Sequence, residues 1–249
     1  MTDDPARGAP MTPLVLLHGF TQTGECLGPL ARSLAQDREV LLPDLGGHGS
    51  AAALAGLDCA GNADMVAAQV PLADWFGYSM GGRTALHAAL DHPGAVRRLV
   101  LLGATAGIRD EHERAERAAT DESRARRVES EGVQRFCAEW LEAAMFAQLP
   151  EWARFERERT SNTPEGLAGS LRNAGTGSMV PVWDRLAELT MPVLCLAGGD
   201  DSKFAETAEE MADAIGANAE FCTIAGAGHA AHLERPDDTT GVVRRFLDS

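Results

Sequence analysis

The sequence has little that would support a metal site or a disulfide framework. Its five cysteines are odd in number and widely spaced, with no C-x-x-C pair and no Cys/His pattern typical of a metal site: Cys26, Cys59, Cys137, Cys195 and Cys222. Scattered cysteines of this kind are typical of reduced, mostly buried thiols in a cytosolic protein. No histidine pair has ligand spacing either, so we expect no metal and no metal-dependent catalysis.

Positive charge is also scarce. The chain of 249 residues has 22 Lys and Arg against 37 Asp and Glu, a formal net charge of −15. That balance argues against a nucleic-acid groove and against binding to an anionic membrane surface. The N-terminus lacks the basic and apolar regions of a signal peptide, and no apolar run reaches transmembrane length, so we expect a cytoplasmic protein without stable membrane insertion.

Nucleotide-binding loops are missing as well. The Gly-rich segment 43–50 contains neither the P-loop pattern nor a G-x-G-x-x-G that opens a helix, so we interpret it as a tight loop over a sheet edge. We expect no cofactor.

Short apolar runs alternate with helical segments along most of the chain. Strands are predicted at 13–17, 40–42, 72–76, 96–103, 192–199 and 219–224, separated by segments with helical spacing. This alternation predicts an α/β protein with a mostly parallel, doubly wound sheet. Between 108 and 180 the sequence is charged and helical, which predicts an inserted cap. We therefore divide the chain into a loose tail at 1–12, a core at 13–107 and 181–249, and a helical cap at 108–180.

The segment Gly77-Tyr78-Ser79-Met80-Gly81 has the form G-x-S-x-G and stands between a predicted strand and a predicted helix. The two glycines permit a turn too tight for side chains, so the serine hydroxyl is exposed at a helix N-terminus. This is the pattern of a nucleophile elbow. Alone, the pentapeptide fits an ordinary turn about as well.

An acid and a histidine follow at the ends of later strands. A serine hydroxyl needs an imidazole to take its proton and a carboxylate to orient that imidazole. Asp201 is the predicted acid, with the adjacent Asp200 as the open alternative. His229, in a glycine-flanked loop, is the predicted base, with His232 as the weaker alternative. The chain order Ser, Asp, His is that of the elbow folds.

A site of this kind also needs backbone N–H groups that face the serine. The strand at 13–17 ends in His18-Gly19-Phe20, and such a loop can supply the N–H of Phe20 beside that of Met80. His18 itself is interpreted as a structural turn residue.

Together, the HGF loop, the GYSMGGR elbow, the DDSKF acid turn and the GHAAH base turn resemble the α/β-hydrolase-fold family over almost the whole chain from Thr12. Within it, Arg83, the segment 114–117, Gln134-Arg135-Phe136 with Trp140, Arg159 and the DSKF turn resemble the 2-succinyl-6-hydroxy-2,4-cyclohexadiene-1-carboxylate synthases of menaquinone biosynthesis.

That resemblance implies a carbon–oxygen lyase that removes pyruvate from an enolpyruvyl cyclohexene dicarboxylate. Ser79 would act as the base toward a ring proton, without an acyl-enzyme. The resemblance further implies that the substrate carboxylates are held by Arg83, Arg117 and Arg159, and that the pocket is lined by Tyr78 and Trp140. The expected partner is a small polycarboxylate, bound by a monomer or small homo-oligomer.

Two other functions remain open. A serine hydrolase with the same triad, either a carboxylesterase or a C–C bond hydrolase, would use Ser79 or an activated water on a carbonyl. A non-catalytic ligand receptor on this fold is the third alternative, disfavoured because a pure binding module needs no base directed at the serine.

Overall fold

The sheet is built from the short apolar runs of the sequence. The computed structural model describes residues 12–70 and 72–249, so the predicted tail lies outside the described residues except for Thr12. The described residues form six strands: β1 (Leu14–Leu17), β2 (Val40–Leu41), β3 (Ala73–Tyr78), β4 (Val96–Leu102), β5 (Val193–Gly198) and β6 (Ala219–Ile224). β1, β3 and β5 are buried along their whole length, as expected for strands covered on both faces.

The strand order is β2-β1-β3-β4-β5-β6, and every neighbouring pair is parallel. The chain proceeds to one side from β1 to β2 and then returns past β1 to β3. The connections therefore diverge beyond the carboxyl ends of β1 and β3, where ligands bind in open α/β sheets. The predicted doubly wound α/β fold is confirmed.

Helices cover both faces of this sheet. They are α1 (Gly28–Leu34), α2 (Cys59–Ala67), α3 (Met80–Asp91), α4 (Glu111–Glu131), α5 (Val133–Leu141), α6 (Glu156–Thr160), α7 (Pro164–Ala174), α8 (Ser202–Ile215), α9 (Ala231–Glu234) and α10 (Pro236–Asp248). Short 3₁₀ helices occupy Gly24–Leu27, Gly49–Leu54, Pro93–Ala95, Ala144–Phe146, Glu151–Ala153 and Trp183–Glu188.

Side chains that alternate along β1 enter two different cores. Val15 and Leu17 pack in one core with residues of α2, α3 and α8. Leu14 and Leu16 pack in the opposite core with residues of α1 and α10. This alternation follows from the pleat of a strand, and it anchors the central strands from both sides.

Between β4 and β5 the chain forms the helices α4 to α7, which pack on one another. Ala125 and Val128 of α4 share a small apolar cluster with Phe136 of α5 and with Leu167 and Leu171 of α7. The limits 108 and 180 for a separate cap remain a prediction. Across the described residues, no helix has both the length and the apolar character needed to cross a membrane.

Candidate active site

The turn between β3 and α3 holds Ser79 in a conformation that side chains rarely adopt. Ser79 has φ 53° and ψ −108°, and its N–H donates to the carbonyl of Leu102 on β4 at 2.9 Å. A side chain at Gly77 would collide with the backbone of Gly81, and one at Gly81 would collide with Leu17. The two glycines are therefore required by close backbone approach, and the turn presents the hydroxyl beyond the sheet.

His229 connects the hydroxyl of Ser79 to one of the two candidate acids. His229 Nε2 lies 3.2 Å from Ser79 Oγ, and His229 Nδ1 lies 2.7 Å from Asp201 Oδ2. Asp200 points elsewhere, because its Oδ2 accepts a hydrogen bond from Gln148 Nε2 at 2.8 Å. His232 is fully buried and makes neither contact. This arrangement can move a proton from the serine to the imidazole while the carboxylate fixes the tautomer.

The loop that carries His229 is fixed by a carboxylate of α9. Glu234 is buried, and its two carboxylate oxygens accept the backbone N–H groups of Gly228 and Ala230, the latter at 3.0 Å. These are the residues on either side of His229. Gly103, with φ 57°, leaves room for the imidazole, because an added Cβ would lie 3.0 Å from its Cε1.

The loop after β1 lies beside the serine and is held by two buried histidines. His18 Nε2 accepts the N–H of Leu45 at 3.0 Å, and His48 Nε2 accepts the N–H of Thr21 at 3.3 Å. Burial lowers the pKa of both imidazoles, that of His48 to about 3, so both are neutral acceptors. The structural role expected for His18 agrees with these contacts. Met80 is the first residue of α3, so its N–H has no partner within the helix and is free to face a ligand.

A cavity of about 320 Å³ opens over Ser79 between the sheet edge and helices α4, α5 and α7. Eight of the ten predicted site residues line it: Phe20, Ser79, Met80, Arg83, Arg117, Trp140, Asp201 and His229. Its floor carries the proton-transfer contacts, and its walls carry cations and aromatic rings. We call this space the site cavity.

The other two predicted residues lie behind the site cavity. Tyr78 and Arg159 line a small space of about 20 Å³ that also touches Ser79 and His229. Burial raises the pKa of Tyr78 and lowers that of Arg159. Arg159 Nε donates to the carbonyl of Arg154 at 2.8 Å, and its Nη1 donates to Thr21 Oγ1.

The three predicted arginines differ in their partners. Arg117 Nε donates to both oxygens of Asp121 at 2.9 and 3.0 Å. Arg83 and Arg159 are buried, and within the described residues neither has a carboxylate within 4.0 Å. Arg83 Nη2 donates instead to the carbonyl of Ala174 at 2.7 Å. An unpaired buried guanidinium is unfavourable, so these two arginines create a strong preference for an anionic ligand.

The sequence interpretation missed two cations in the walls of the site cavity, Arg124 and Lys203. Arg124 Nη1 lies 3.2 Å from Asp121 Oδ1, and its guanidinium lies 5.4 Å from the ring centroid of Trp140. The signal for Arg124 was its position seven residues after Arg117, which puts both on one face of α4. Lys203 follows Asp201 by two residues.

Three features define the class of enzyme to which this protein belongs. They are the nucleophile elbow, the hydrogen-bonded serine, histidine and aspartate, and the parallel sheet with helices inserted after β4. The family model for the alpha/beta hydrolase fold matches residues 12–236, and the chain belongs to this family as an enzyme.

Three individual proteins are similar to this chain over nearly its whole length. The 2-succinyl-6-hydroxy-2,4-cyclohexadiene-1-carboxylate synthase of Salmonella newport is 33% identical over 253 residues, which cover 96% of each chain. The solved structure of MenH from S. aureus has a TM-score of 0.90 and 30% identity and covers 98% of this chain and 96% of its own. A thermophilic esterase from Thermogutta terrifontis, solved with malate bound, has a TM-score of 0.84 and 26% identity, with 96% and 90% covered.

Proposed function

We propose that this enzyme is a carbon–oxygen lyase of menaquinone biosynthesis. It eliminates pyruvate from 2-succinyl-5-enolpyruvyl-6-hydroxy-3-cyclohexene-1-carboxylate and gives 2-succinyl-6-hydroxy-2,4-cyclohexadiene-1-carboxylate. Support comes from the synthase of Salmonella newport and from MenH of S. aureus, which the chain resembles over nearly its full length.

The proposal is carried by two guanidinium groups that are buried and have no carboxylate partner among the residues that the structure describes. Arg83 lines the site cavity, and Arg159 lines the space behind Ser79. A substrate with several carboxylates compensates both charges, and the planar guanidinium fork suits a carboxylate. A neutral ester would leave both cations buried and unpaired. Arg117, held by Asp121, supplies a further cation, and Trp140 supplies an apolar wall.

In the proposed reaction Ser79 Oγ removes a ring proton while its own proton passes to His229 Nε2. Asp201 stabilises the imidazolium that forms. The electron pair left at ring carbon C2 forms a double bond to C3, the existing C3–C4 double bond moves to C4–C5, and the enolpyruvyl oxygen on C5 leaves with the electrons of the broken C–O bond. No covalent enzyme intermediate appears. The N–H groups of Phe20 and Met80 stabilise the negative charge that develops on substrate oxygen. The released enolate takes up a proton at its methylene carbon and becomes pyruvate, and loss of the proton held by His229 returns the site to its starting state.

A serine hydrolase is the second candidate. The geometry of Ser79, His229 and Asp201 also suits acyl transfer, and the Thermogutta esterase has a similar fold. In that case Ser79 would attack a carbonyl and form an acyl-enzyme. The lyase needs the buried Arg83 and Arg159 to bind substrate carboxylates, whereas a hydrolase of neutral esters does not.

The test is pyruvate release from the enolpyruvyl substrate, measured beside hydrolysis of a neutral aryl ester. Wild-type enzyme is expected to release pyruvate rapidly and to cleave the ester poorly. Ser79→Ala is expected to lower pyruvate release by roughly ten-thousandfold, as for loss of a member of a triad. Serine-dependent ester turnover without pyruvate above background would refute the lyase and favour the hydrolase.

Arg83→Met tests the charge argument, because Met fills similar space without the guanidinium. It is expected to raise KM for the dicarboxylate at least tenfold, the loss of one charge-assisted contact. Arg126→Met on the solvent face of α4, where Arg126 pairs with Glu122, is the matched control. An equal loss in both variants would contradict the assigned role of Arg83.

A further inference from the structure

A second cavity adjoins the site cavity. It has a volume of about 320 Å³ and lies where the start of α4 meets α8. We call it the outer chamber. Four residues line both spaces: Arg117, Thr176, Lys203 and Phe204. The two cavities are therefore on either side of one boundary, and a ligand too long for the site cavity would extend across it.

Charges in the outer chamber are unevenly distributed. On its far wall, Arg109 pairs with Glu210 at 3.1 Å and its guanidinium lies 3.6 Å from the ring centroid of Trp183. Asp110 and Glu113, like Arg109 and Glu210, line the outer chamber and not the site cavity. The single basic group there is neutralised, so this wall repels rather than holds an anion.

The boundary itself has the opposite character. Lys203, the single lysine of the chain, lies there with an exposed side chain, and in the described part of the protein no carboxylate approaches its amine within 4.0 Å. Arg117 contacts Asp121 through Nε, which leaves its Nη groups available to a ligand. The flexible ammonium of Lys203 and the fixed guanidinium of Arg117 therefore lie together at the boundary between the two cavities. On one side is the cationic site cavity, and on the other are the acidic residues of the outer chamber.

We propose that Lys203 and Arg117 form a carboxylate-binding subsite at this boundary. The subsite holds a carboxylate of a substrate whose remainder occupies the site cavity, and it binds small organic carboxylates on its own. Lys203 is the new component of this site. The identity of the substrate as a polycarboxylate rests on the proposed function, whereas the preference for a carboxylate follows from the charges at the boundary.

Because Lys203 is the single lysine, it can be observed without mutation. Reductive methylation with ¹³C-formaldehyde labels its amine and the N-terminal amine and keeps the positive charge. Lys203→Arg identifies the Lys203 signal by its loss. Titration with sodium pyruvate is expected to shift this signal saturably, whereas methyl pyruvate, which has no carboxylate, is expected to leave it in place.

Arg117→Met is expected to weaken the pyruvate-dependent shift about tenfold in apparent Kd, because one of the two cations is lost. A shift that sodium chloride reproduces at equal ionic strength, or a signal that pyruvate does not move, would overturn the proposal. This measurement needs no turnover. If wild-type enzyme releases no pyruvate from the enolpyruvyl substrate, the proposed function fails while the subsite remains testable.

Steady-state kinetics provide a second test of the carboxylate-binding subsite. Lys203→Met is expected to raise KM for the enolpyruvyl dicarboxylate about tenfold, with Lys203→Arg restoring most of the loss. Arg109→Met is the matched control, since it removes a cation from the outer chamber that already has Glu210 as its partner. Equal increases of KM in the Lys203 and Arg109 variants would indicate a general charge effect and refute the subsite.

Discussion

His232 provides a direct test of how burial affects the stability of this protein. It is fully buried, its ring lies 4.4 Å from that of Tyr78, and neither ring nitrogen has a hydrogen-bond partner among the residues that the structure describes. Burial, assisted by the nearby charges of His229 and Arg159, lowers the pKa of His232 from 6.5 to about 3. The folded protein therefore holds a neutral imidazole across the range where an exposed histidine takes up a proton.

The sign of the effect follows from proton uptake. Below pH 6.5 the unfolded chain binds a proton at this position and the folded protein does not, so stability is complete above that pH and falls as the solution is acidified. Each pH unit below 6.5 lowers the free energy of unfolding by about 1.4 kcal/mol, so the loss is about 2 kcal/mol at about pH 5. His232→Leu removes the titrating group and retains an apolar side chain of similar size.

Urea unfolding at about pH 7.5 and about pH 5 measures the effect. We expect wild-type protein to lose about 2 kcal/mol more than His232→Leu between these two conditions. His112→Leu is the control, because the His112 side chain is 83% exposed, so water surrounds it in the folded protein as it does in the unfolded chain. Equal pH dependence in wild type and His232→Leu would refute the assignment of a depressed pKa to His232.

Three further predictions concern the active site. Asp201→Asn should lower turnover by roughly ten-thousandfold, as when the orienting acid of a triad is lost, whereas Asp200→Asn, which removes no contact to His229, should stay within about threefold of wild type in the same assay. Glu234→Gln should lower kcat about tenfold or more and alter its pH profile, since an amide accepts only one of the two N–H bonds beside His229; an unchanged profile would contradict a positioning role. Gly77→Ala should cost about 3 kcal/mol or more in urea unfolding, because its Cβ overlaps backbone; a smaller loss would mean that the elbow can relax.

Local sequence signals predicted the positions of the strands better than the residues at which the helices begin. The strand predicted at 219–224 coincides with β6, because turn-forming glycines, Gly216 on one side and Gly226 on the other, lie just beyond its two ends. Before β3, the residue pattern of the sequence predicts a helix only from Asn62, whereas α2 begins at Cys59, where the side chain of Asp58 accepts the N–H of Gly61. After β5, the residue pattern likewise predicts a helix only from Ala205, whereas α8 begins at Ser202. Apolar periodicity locates the middle of a helix, whereas its first turn depends on caps that carry little periodicity.

In the site, sequence order identified candidate groups but not their orientation. The side chains of adjacent acids at a strand end point in different directions, and the local turn decides which of them faces the histidine. Asp200 and Asp201 were therefore distinguished only by their contacts in the structure. Arg124 and Lys203 were missed for a related reason. Which face of a charged helix borders a cavity depends on packing between distant elements, for example of α4 on α7.

The contrast between an acidic surface and a cationic site cavity has a kinetic consequence. An anionic substrate far from the protein meets the field of a chain with a formal charge of −15, and it meets the arginines only at the cavity itself. At low ionic strength the repulsion extends over about 30 Å, and at physiological salt over about 8 Å. Modest salt should therefore accelerate substrate capture, the reverse of ordinary electrostatic steering. Only at higher concentrations, when ions begin to compete inside the cavity, should the association rate fall again.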